Sequence, residues 1–336
     1  MRALPVVTLL SAAWLAACDG PSPTAVSTPP ASAQLLLFGW QRANLPFTPV
    51  AINDSGVIVG NVNNTAVRYF NGTVTVLPPP AGLTGAYSAV DITRNGHILG
   101  VMNGSILIWS SAAAAPQVVT AAAVLQPSSM NDSHMVVGTS SGRGFRWTPS
   151  VGLQTLADPP NYGARATHVS RNGYVAGFAQ PLLSGLPEAL VRWDPSGTPT
   201  ALQPVGHTSP PENRPSDIDD FGNILSTSGG VTIDWTVGGT VYTIAGVPQP
   251  TRTTGWSPLG RIVGHTIGSS NHPWTLFQGA LTWLPQPSPA DQADIPVGVN
   301  ACGAIVARRV NGGVVLDSGY VWRKALTCDN AGVVLP

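Results

Sequence analysis

Short apolar segments separated by tight polar turns recur along the chain from about residue 50 to about residue 322. Each unit opens with an alternating apolar segment, passes through a turn rich in Asn, Asp and Gly, and continues into a β-branched segment such as Val57-Ile58-Val59. Alternation with a period of two residues is typical of β-strands, and these turn residues favour hairpins. The pattern therefore predicts consecutive antiparallel hairpins.

Seven copies of this segment align at their turns. The shared turn position falls at Gly56, Gly96, His134, Gly173, Gly222, Gly260 and Gly303. The copies follow one another at intervals of roughly 41 residues, which is the length of one blade of a propeller. Glycine takes positive φ without a steric penalty, so it suits the closing position of a tight turn.

A third segment of each unit carries an aromatic residue, namely Tyr69, Trp109, Trp147, Trp193, Trp235, Trp274 or Trp322. A second turn and a fourth short strand complete the unit, as in residues 72–77 and 152–156. Four strands repeated seven times predict an all-β, seven-bladed β-propeller. An open β-solenoid is the alternative, but its coils are usually shorter and lack two hairpin turns per unit.

The turn motif has the form I-N-x-x-G-x-V-V-G and is followed by an aromatic strand. In this it resembles the HAF-repeat family of extracellular bacterial proteins, from about residue 45 to about residue 325. The resemblance implies a β-repeat architecture and an extracellular location. The His-Ala-Phe trio that gives the family its name is degraded here, with Gly144-Phe145, Ala189-Leu190 and residues 272–274 near its place, so no shared ligand is implied.

Closure of a propeller ring commonly requires strands from both chain ends in one blade. Residues 35–40, with the sequence LLLFGW, precede the first repeat and could supply the outer strand of the last blade. Residues 332–335, with the sequence GVVL, resemble the fourth strand of the other units and could do so instead. The sequence leaves both possibilities open.

Residues 1–17 have the features of an export signal. Arg2 precedes an apolar stretch that is too short to span a bilayer. The segment Leu15-Ala16-Ala17-Cys18 resembles the lipobox of bacterial lipoproteins, which implies lipid attachment at Cys18 and cleavage before it. The resemblance predicts a membrane-anchored protein of the cell envelope, on the periplasmic or the cell-surface side. An ordinary secretory signal with an incidental cysteine is the alternative.

Residues 18–34 would hold the lipid attachment site and a flexible tether rich in Pro, Ser, Thr and Ala. Residues 35–336 would form the propeller as one repeat domain. The chain has 16 basic and 16 acidic residues and no formal net charge. Because nucleic-acid binding needs a basic field, we expect no nucleic-acid partner. We expect the protein to be monomeric.

Cys302 and Cys328 are the two cysteines that remain after Cys18 is assigned to lipid. They lie close in sequence and, on this interpretation, in an oxidising compartment, so we predict a disulfide between them. Two buried free thiols are the alternative. These two residues have no further soft ligands nearby in the sequence, so no metal site is predicted there.

Motifs for catalysis are weak. Residues 138–142, GTSSG, match the G-x-S-x-G pattern, but they fall between two predicted strands rather than at a strand–helix junction. The acidic segment 217–223 faintly resembles a calcium loop, yet it aligns with the turn motif of the other copies. We predict no catalytic, cofactor-binding or metal-binding residue, no cofactor and no enzymatic activity.

Most tryptophans recur at one repeat position, which predicts a packing role between blades. Trp40, Trp256 and Trp283 are out of register and are candidates for a ligand surface. Residues 203–216 enlarge one interval and form a candidate loop for partner contact. The sequence thus predicts a lipid-anchored, extracytoplasmic binding or scaffold module for an unknown envelope protein or glycan. The alternatives are a lectin-like polysaccharide-binding module and a propeller-type hydrolase or lyase acting on glycans.

Overall fold

Seven four-stranded antiparallel sheets stand in a ring, and the protein is a seven-bladed β-propeller. The computed structural model describes residues 39–202, 214–268, 271–286 and 292–324. The predicted propeller is confirmed, and the solenoid alternative is wrong. In these ranges, no helix has the length and apolarity needed to cross a bilayer.

The strands follow one another in chain order: β1 Trp40–Leu45, β2 Thr48–Ile52, β3 Ile58–Val62, β4 Thr65–Phe70, β5 Thr73–Val76, β6 Ser88–Ile92, β7 Ile98–Met102, β8 Ser105–Trp109, β9 Gln117–Val119, β10 Leu125–Met130, β11 Val136–Ser140, β12 Arg143–Thr148, β13 Gly152–Thr155, β14 Tyr162–Val169, β15 Val175–Pro181, β16 Ala189–Trp193, β17 Pro199–Leu202, β18 Arg214–Ile218, β19 Ile224–Ser228, β20 Val231–Trp235, β21 Val241–Thr243, β22 Thr251–Trp256, β23 Ile262–Thr266, β24 Pro273–Phe277, β25 Ala280–Trp283, β26 Gln292–Val299, β27 Ile305–Asn311 and β28 Val314–Lys324. Blade 1 consists of β2 to β5, and each later blade takes the next four strands up to blade 6. Blade 7 combines β26, β27 and β28 with β1.

The N-terminal strand closes the ring. Strand β1 is the outermost strand of blade 7 and pairs antiparallel with β28, from Trp40 opposite Lys324 to Leu45 opposite Gly319. The N-terminal part of the chain is therefore the closing end, and the closing strand, Trp40–Leu45, shares only Trp40 with the predicted segment 35–40. Within this strand Ala43 and Leu45 are buried and Asn44 is exposed, which is the alternation that fits a sheet. Residues 35–38 and the other candidate, 332–335, lie outside the described residues.

The core lies between neighbouring blades. One cluster combines Val57 and Ala66 of blade 1 with Ile98 and Trp109 of blade 2. The indole Nε1 of Trp109 donates a hydrogen bond to the carbonyl of Pro78, 2.8 Å away, in the segment that leaves blade 1. Burial with a satisfied polar atom is the favourable way to place tryptophan in a core.

The same arrangement recurs at Trp193, whose Nε1 donates to the carbonyl of Ala157, and at Trp322, whose Nε1 donates to the carbonyl of Pro285. These in-register tryptophans therefore pack between blades, as their repeat position predicts. In blade 6 the predicted aromatic position, Trp274, lies two residues before the position that corresponds to the aromatic residue of the other blades. Leu276, not Trp274, pairs with the first residue of the second strand.

The turn between the first and second strand has one geometry in all seven blades. The residue at the shared turn position has positive φ and donates its N–H to the carbonyl three residues earlier. The residue that accepts this bond also uses its side-chain oxygen to bond the N–H four residues further on. These turn-opening residues are Asn53, Thr93, Asn131, Ser170, Asp219, Ser257 and Asn300.

Turns of adjacent blades are tied together by the same residues. Where the opening residue is asparagine, its Nδ2 donates to the turn carbonyl of the neighbouring blade, as from Asn131 to Ser170 at 2.9 Å. Asn300 of blade 7 reaches the carbonyl of Asn53 of blade 1 at 3.0 Å. The last blade is thereby joined to the first at the turns as well as through β1.

Candidate functional site

Every inner strand carries a β-bulge at the same point. The register with the second strand shifts by one residue in β2, β6, β10, β14, β18, β22 and β26. A bulge turns a strand locally and redirects its side chains. Here the bulges line a cavity of about 300 Å³ on the axis of the ring, to which all seven inner strands contribute.

The residue just after each bulge faces this axial channel. In order from blade 1 to blade 7 these residues are Ala51, Asp91, Ser129, His168, Asp217, Gly255 and Gly298. Blades 2 to 5 thus present polar side chains, whereas blades 6, 7 and 1 present small residues. The channel therefore has one wall with titratable groups and an opposite wall with little side-chain bulk.

Both carboxylates of the polar wall are held by backbone N–H groups. Asp91 accepts hydrogen bonds from the N–H of Ile92 at 2.8 Å, from the N–H of Met130 at 2.9 Å and from the hydroxyl of Ser129 at 3.0 Å. The last two partners belong to the next blade. These bonds join adjacent inner strands and fix the carboxylate in place.

Asp217 repeats this arrangement in blade 5. It accepts from the N–H of Ile218 at 2.8 Å and from the N–H of Trp256, in the next blade, at 2.9 Å. Burial, with repulsion from Asp91, raises the pKa of Asp217 to about 7, and burial raises the pKa of Asp91 to about 6. Burial lowers the pKa of His168 to about 4.

The pKa of Asp217 leads to a testable dependence of stability on pH. Because the pKa is about 7 in the folded protein and near 3.8 otherwise, folding favours the protonated acid. This stabilisation is complete below about pH 4 and is lost as the pH rises through 7. We expect the Asp217→Asn variant to lack this stabilisation. As the pH is lowered from 8 to 4, the unfolding free energy of wild type should therefore rise by a few kcal/mol relative to that of the variant.

The difference between the two proteins is the quantity to measure, because His168 and His265 act in the opposite direction. Their pKa values are lowered to about 4, so they cost stability as the pH falls below 6.5. Urea unfolding of wild type and Asp217→Asn at several pH values isolates the aspartate. Asp317→Asn, an exposed change of the same chemistry, is the control. A parallel pH dependence in wild type and Asp217→Asn would contradict the prediction.

One mouth of the channel lies on the side of the first-to-second-strand turns, and we call it the turn-side mouth. It holds a cavity of about 350 Å³ bordered by blades 2 to 6. Trp256 lines it as a half-buried side chain, and Phe221 lines it with 72% of its surface exposed. Arg171 also lines it and forms an ion pair with Asp220 at 3.0 Å. Two aromatic side chains thus stand beside charged groups at an open cavity.

The opposite mouth, which we call the basic mouth, holds a cavity of about 390 Å³. Arg214, Arg252 and Arg308 line it together with His168 and His265, and its described lining includes no Asp or Glu. Arg214 is the first described residue after the candidate partner loop, whose residues 203–213 lie outside the described part of the chain. The two ends of the channel therefore differ in charge.

The three out-of-register tryptophans are not brought together. Trp40 is the first residue of β1 and packs between blades 6 and 7 against Leu284 and Trp322. Trp283 ends the outer strand of blade 6, with 51% of its surface exposed and its ring edge-on to His272. Only Trp256 of the three lines a channel mouth. The three tryptophans therefore do not share one surface, and a ligand role for them stays a prediction.

Other candidate residues take structural positions. The segment 138–142 forms the end of β11 and the hairpin turn to β12, which is a strand–turn–strand context. Asp219 opens a turn and accepts the N–H groups of Phe221 and Asn223. In the described ranges no three His, Cys, Asp or Glu side chains group closely enough to hold a metal ion.

Two histidines at the turn-side face pack against each other. The rings of His97 and His134 have centroids 4.4 Å apart, and Nε2 of His134 contacts Nδ1 of His97. Burial and the neighbouring His97 lower the pKa of His134. His168 lies in the inner strand β14, just after its bulge, and faces the channel.

The cysteine predictions reach beyond the described residues. Cys302 lies in the turn between β26 and β27, where its Sγ is 3.9 Å from the carbonyl of Asp54. Cys328 and Cys18 lie outside the described residues. The Cys302–Cys328 disulfide and the lipid on Cys18 stay predictions.

Comparison with solved structures identifies other propellers. Virginiamycin B lyase from Staphylococcus aureus matches with a TM-score of 0.60 and 14% identity, over 85% of this chain and 99% of that chain. A streptogramin B lyase matches with a TM-score of 0.59 and 12% identity, over 85% and 97%. The WD40 propeller domain of Doa1 matches with a TM-score of 0.54 and 12% identity, over 85% and 97%.

At this level of identity the similarity shows the fold alone. Two of these propellers are lyases and one is a WD40 domain, so the shared architecture does not select an activity. No protein-family model matches the chain, and no curated protein matches it.

Proposed function

We propose that this protein is a lipid-anchored, extracytoplasmic binding module that holds a glycan at the turn-side mouth of its channel. The observation that carries the proposal is that two aromatic side chains, Phe221 and Trp256, line the same cavity of about 350 Å³. Aromatic rings stack on the apolar faces of sugar rings, and neighbouring charged groups such as Arg171 bond sugar hydroxyls. Phe221 is 72% exposed, whereas its neighbours in the turn are polar. A turn that only faces solvent does not require a large exposed apolar side chain.

The anchor and location in this proposal rest on the resemblance of the segment ending at Cys18 to a lipobox. Export would place the channel where envelope or extracellular glycans are present. A lipid on Cys18 and the segment 18–34 would hold the propeller at a membrane while leaving both mouths accessible.

Retention on insoluble and immobilised polysaccharides tests the glycan proposal. We expect the wild-type propeller to be retained by at least one polysaccharide, and Phe221→Ala and Trp256→Ala to weaken retention by about tenfold or more. Trp283→Ala is the matched control, because it removes an exposed tryptophan from an outer strand of blade 6. Equal retention of all four proteins would contradict the proposal. Since Phe221 is largely exposed, its variant should fold normally.

A glycan hydrolase or lyase is the second candidate function. The observation in its favour is the convergence of Asp91, His168 and Asp217 on one wall of the channel. Against it, the backbone bonds to both oxygens of each carboxylate give these aspartates a structural role. Analysis of the soluble fraction for released sugars in the retention assay distinguishes the two functions. Release by wild type that Asp217→Asn abolishes would favour the enzyme.

A further inference from the structure

The basic mouth carries several positive charges, although the chain as a whole has no formal net charge. Arg214, Arg252 and Arg308 come from the inner strands of blades 5 and 6 and from the second strand of blade 7, and all three are exposed. The chain as a whole has equal numbers of basic and acidic residues. The described residues that line this cavity include three arginines and no carboxylate, so together they carry positive charge.

Buried polar atoms beneath the arginines have no partner in the described structure. His265 lines the cavity with only 6% of its surface exposed, and its Nδ1 has no hydrogen-bond partner. Thr254, the bulge residue of β22, lines the same cavity, and its buried Oγ1 also has no partner. Buried polar groups are normally satisfied, so these two groups at one cavity have bonding capacity that a ligand could use.

The surroundings of His265 are consistent with this interpretation. Arg252 stands directly opposite His265 in the register of β22 and β23. Burial, with the positive charges of Arg252 and Arg308, lowers the pKa of His265 to about 4. The imidazole is therefore neutral at pH 7, and it can donate one hydrogen bond without adding a further buried charge.

We propose that Arg252, Arg308, His265 and Thr254 form a binding site for the oxyanion group of a small ligand, either a carboxylate or a phosphate. Guanidinium groups present paired N–H donors that match both oxyanions. The hydroxyl of Thr254 and the imidazole of His265 supply the buried bonds. A cavity of about 390 Å³ accommodates a ligand of the size of a sugar acid or a sugar phosphate.

Arg214 has a supporting part in this site. Its guanidinium lies over the ring of Phe178, 4.5 Å from the ring centroid, so a cation–π contact holds it at the edge of the cavity. From there it adds to the positive field. The site is separate from the turn-side mouth, and it does not rest on the glycan proposal made for that mouth.

Calorimetric titration of the purified full-length protein with defined probes tests the site. The probes are inorganic phosphate and galacturonate, with galactose as the uncharged counterpart of galacturonate. We expect binding of phosphate or galacturonate, no binding of galactose at the same concentration, and a loss of at least about tenfold in affinity in the double variant Arg252→Gln, Arg308→Gln. Both arginines are exposed, so this variant should fold.

Arg143→Gln is the matched control, because it removes an exposed arginine that pairs with Asp158 in blade 3. It should bind the anion as wild type does. Binding of phosphate alone indicates a phosphate ligand, and binding of galacturonate alone indicates a carboxylate ligand. Binding of neither probe, or unchanged binding in the double arginine variant, would overturn the proposal.

Discussion

Replacing Gly177 with alanine is expected to destabilise the propeller by roughly 3 kcal/mol or more. A Cβ at this position would lie 2.8 Å from the ring of Trp193 and closer still to the carbonyl of Arg165. The carbonyl belongs to the inner strand just before its bulge, and the ring is fully buried in the core between blades. Neither can move without breaking packing, so urea or thermal unfolding should show a large loss.

Gly163→Ala is the matched control in the same blade. Its added Cβ would have an ordinary contact of 3.6 Å with the side chain of Leu182, and its φ is not in the positive range. We expect its stability to stay within about 1 kcal/mol of wild type, because alanine also restricts the unfolded chain. If both variants lost the same stability, crowding at Gly177 would not be the cause.

The glycine position shows what sequence alone can reveal. A glycine is the third residue of the second strand in five copies, at Gly60, Gly100, Gly138, Gly177 and Gly264, and its recurrence is visible in the sequence. Its reason is not visible, because it depends on a carbonyl and an aromatic ring that are distant in the chain. In blades 5 and 7 the position holds Ser226 and Ala307. In blade 5 the hydroxyl of Ser226 accepts a hydrogen bond from Trp235 at 2.9 Å.

The turns were predictable because their geometry is local. In the first blade Asn53 bonds the N–H of Val57 with its own side chain, and Gly56 supplies the positive φ. All the groups concerned lie within five residues, so residue type and spacing predict the structure. His134 replaces glycine in blade 3 at a φ of 59°, and the surrounding motif still identifies the turn.

The channel wall was not predictable, because its geometry depends on residues that are distant in the chain. A bulge shifts the register by one residue, which exchanges the two faces of the strand. Asp91, His168 and Asp217 are thereby placed on one wall although they lie in three different repeats. The basic mouth also draws its residues from separate blades, so the asymmetry of charge becomes visible only when the ring is closed.

Ring closure by β1 leads to the second large effect. Leu45 is 1% exposed and packs with Phe47, Ile58 and Val321 at the junction of blades 7 and 1. In the same strand, the guanidinium of Arg42 lies 3.3 Å from the ring centroid of Tyr320 and forms an ion pair with the buried Asp294 at 3.5 Å. The strand thus seals an interface that would otherwise be an exposed apolar edge.

We expect Leu45→Asp to lower the unfolding free energy by roughly 4 kcal/mol or more, because it removes apolar packing and buries an unpaired charge. Asn44→Asp adds the same charge at the adjacent, exposed position of β1, and it should change stability by less than about 0.5 kcal/mol. Urea unfolding of the two variants beside wild type gives the comparison. If Leu45→Asp were as stable as Asn44→Asp, β1 would not hold the ring closed. A selective loss in Leu45→Asp would mean that the junction of blades 7 and 1 depends on this one strand, as expected for a ring in which every other blade is continuous in sequence.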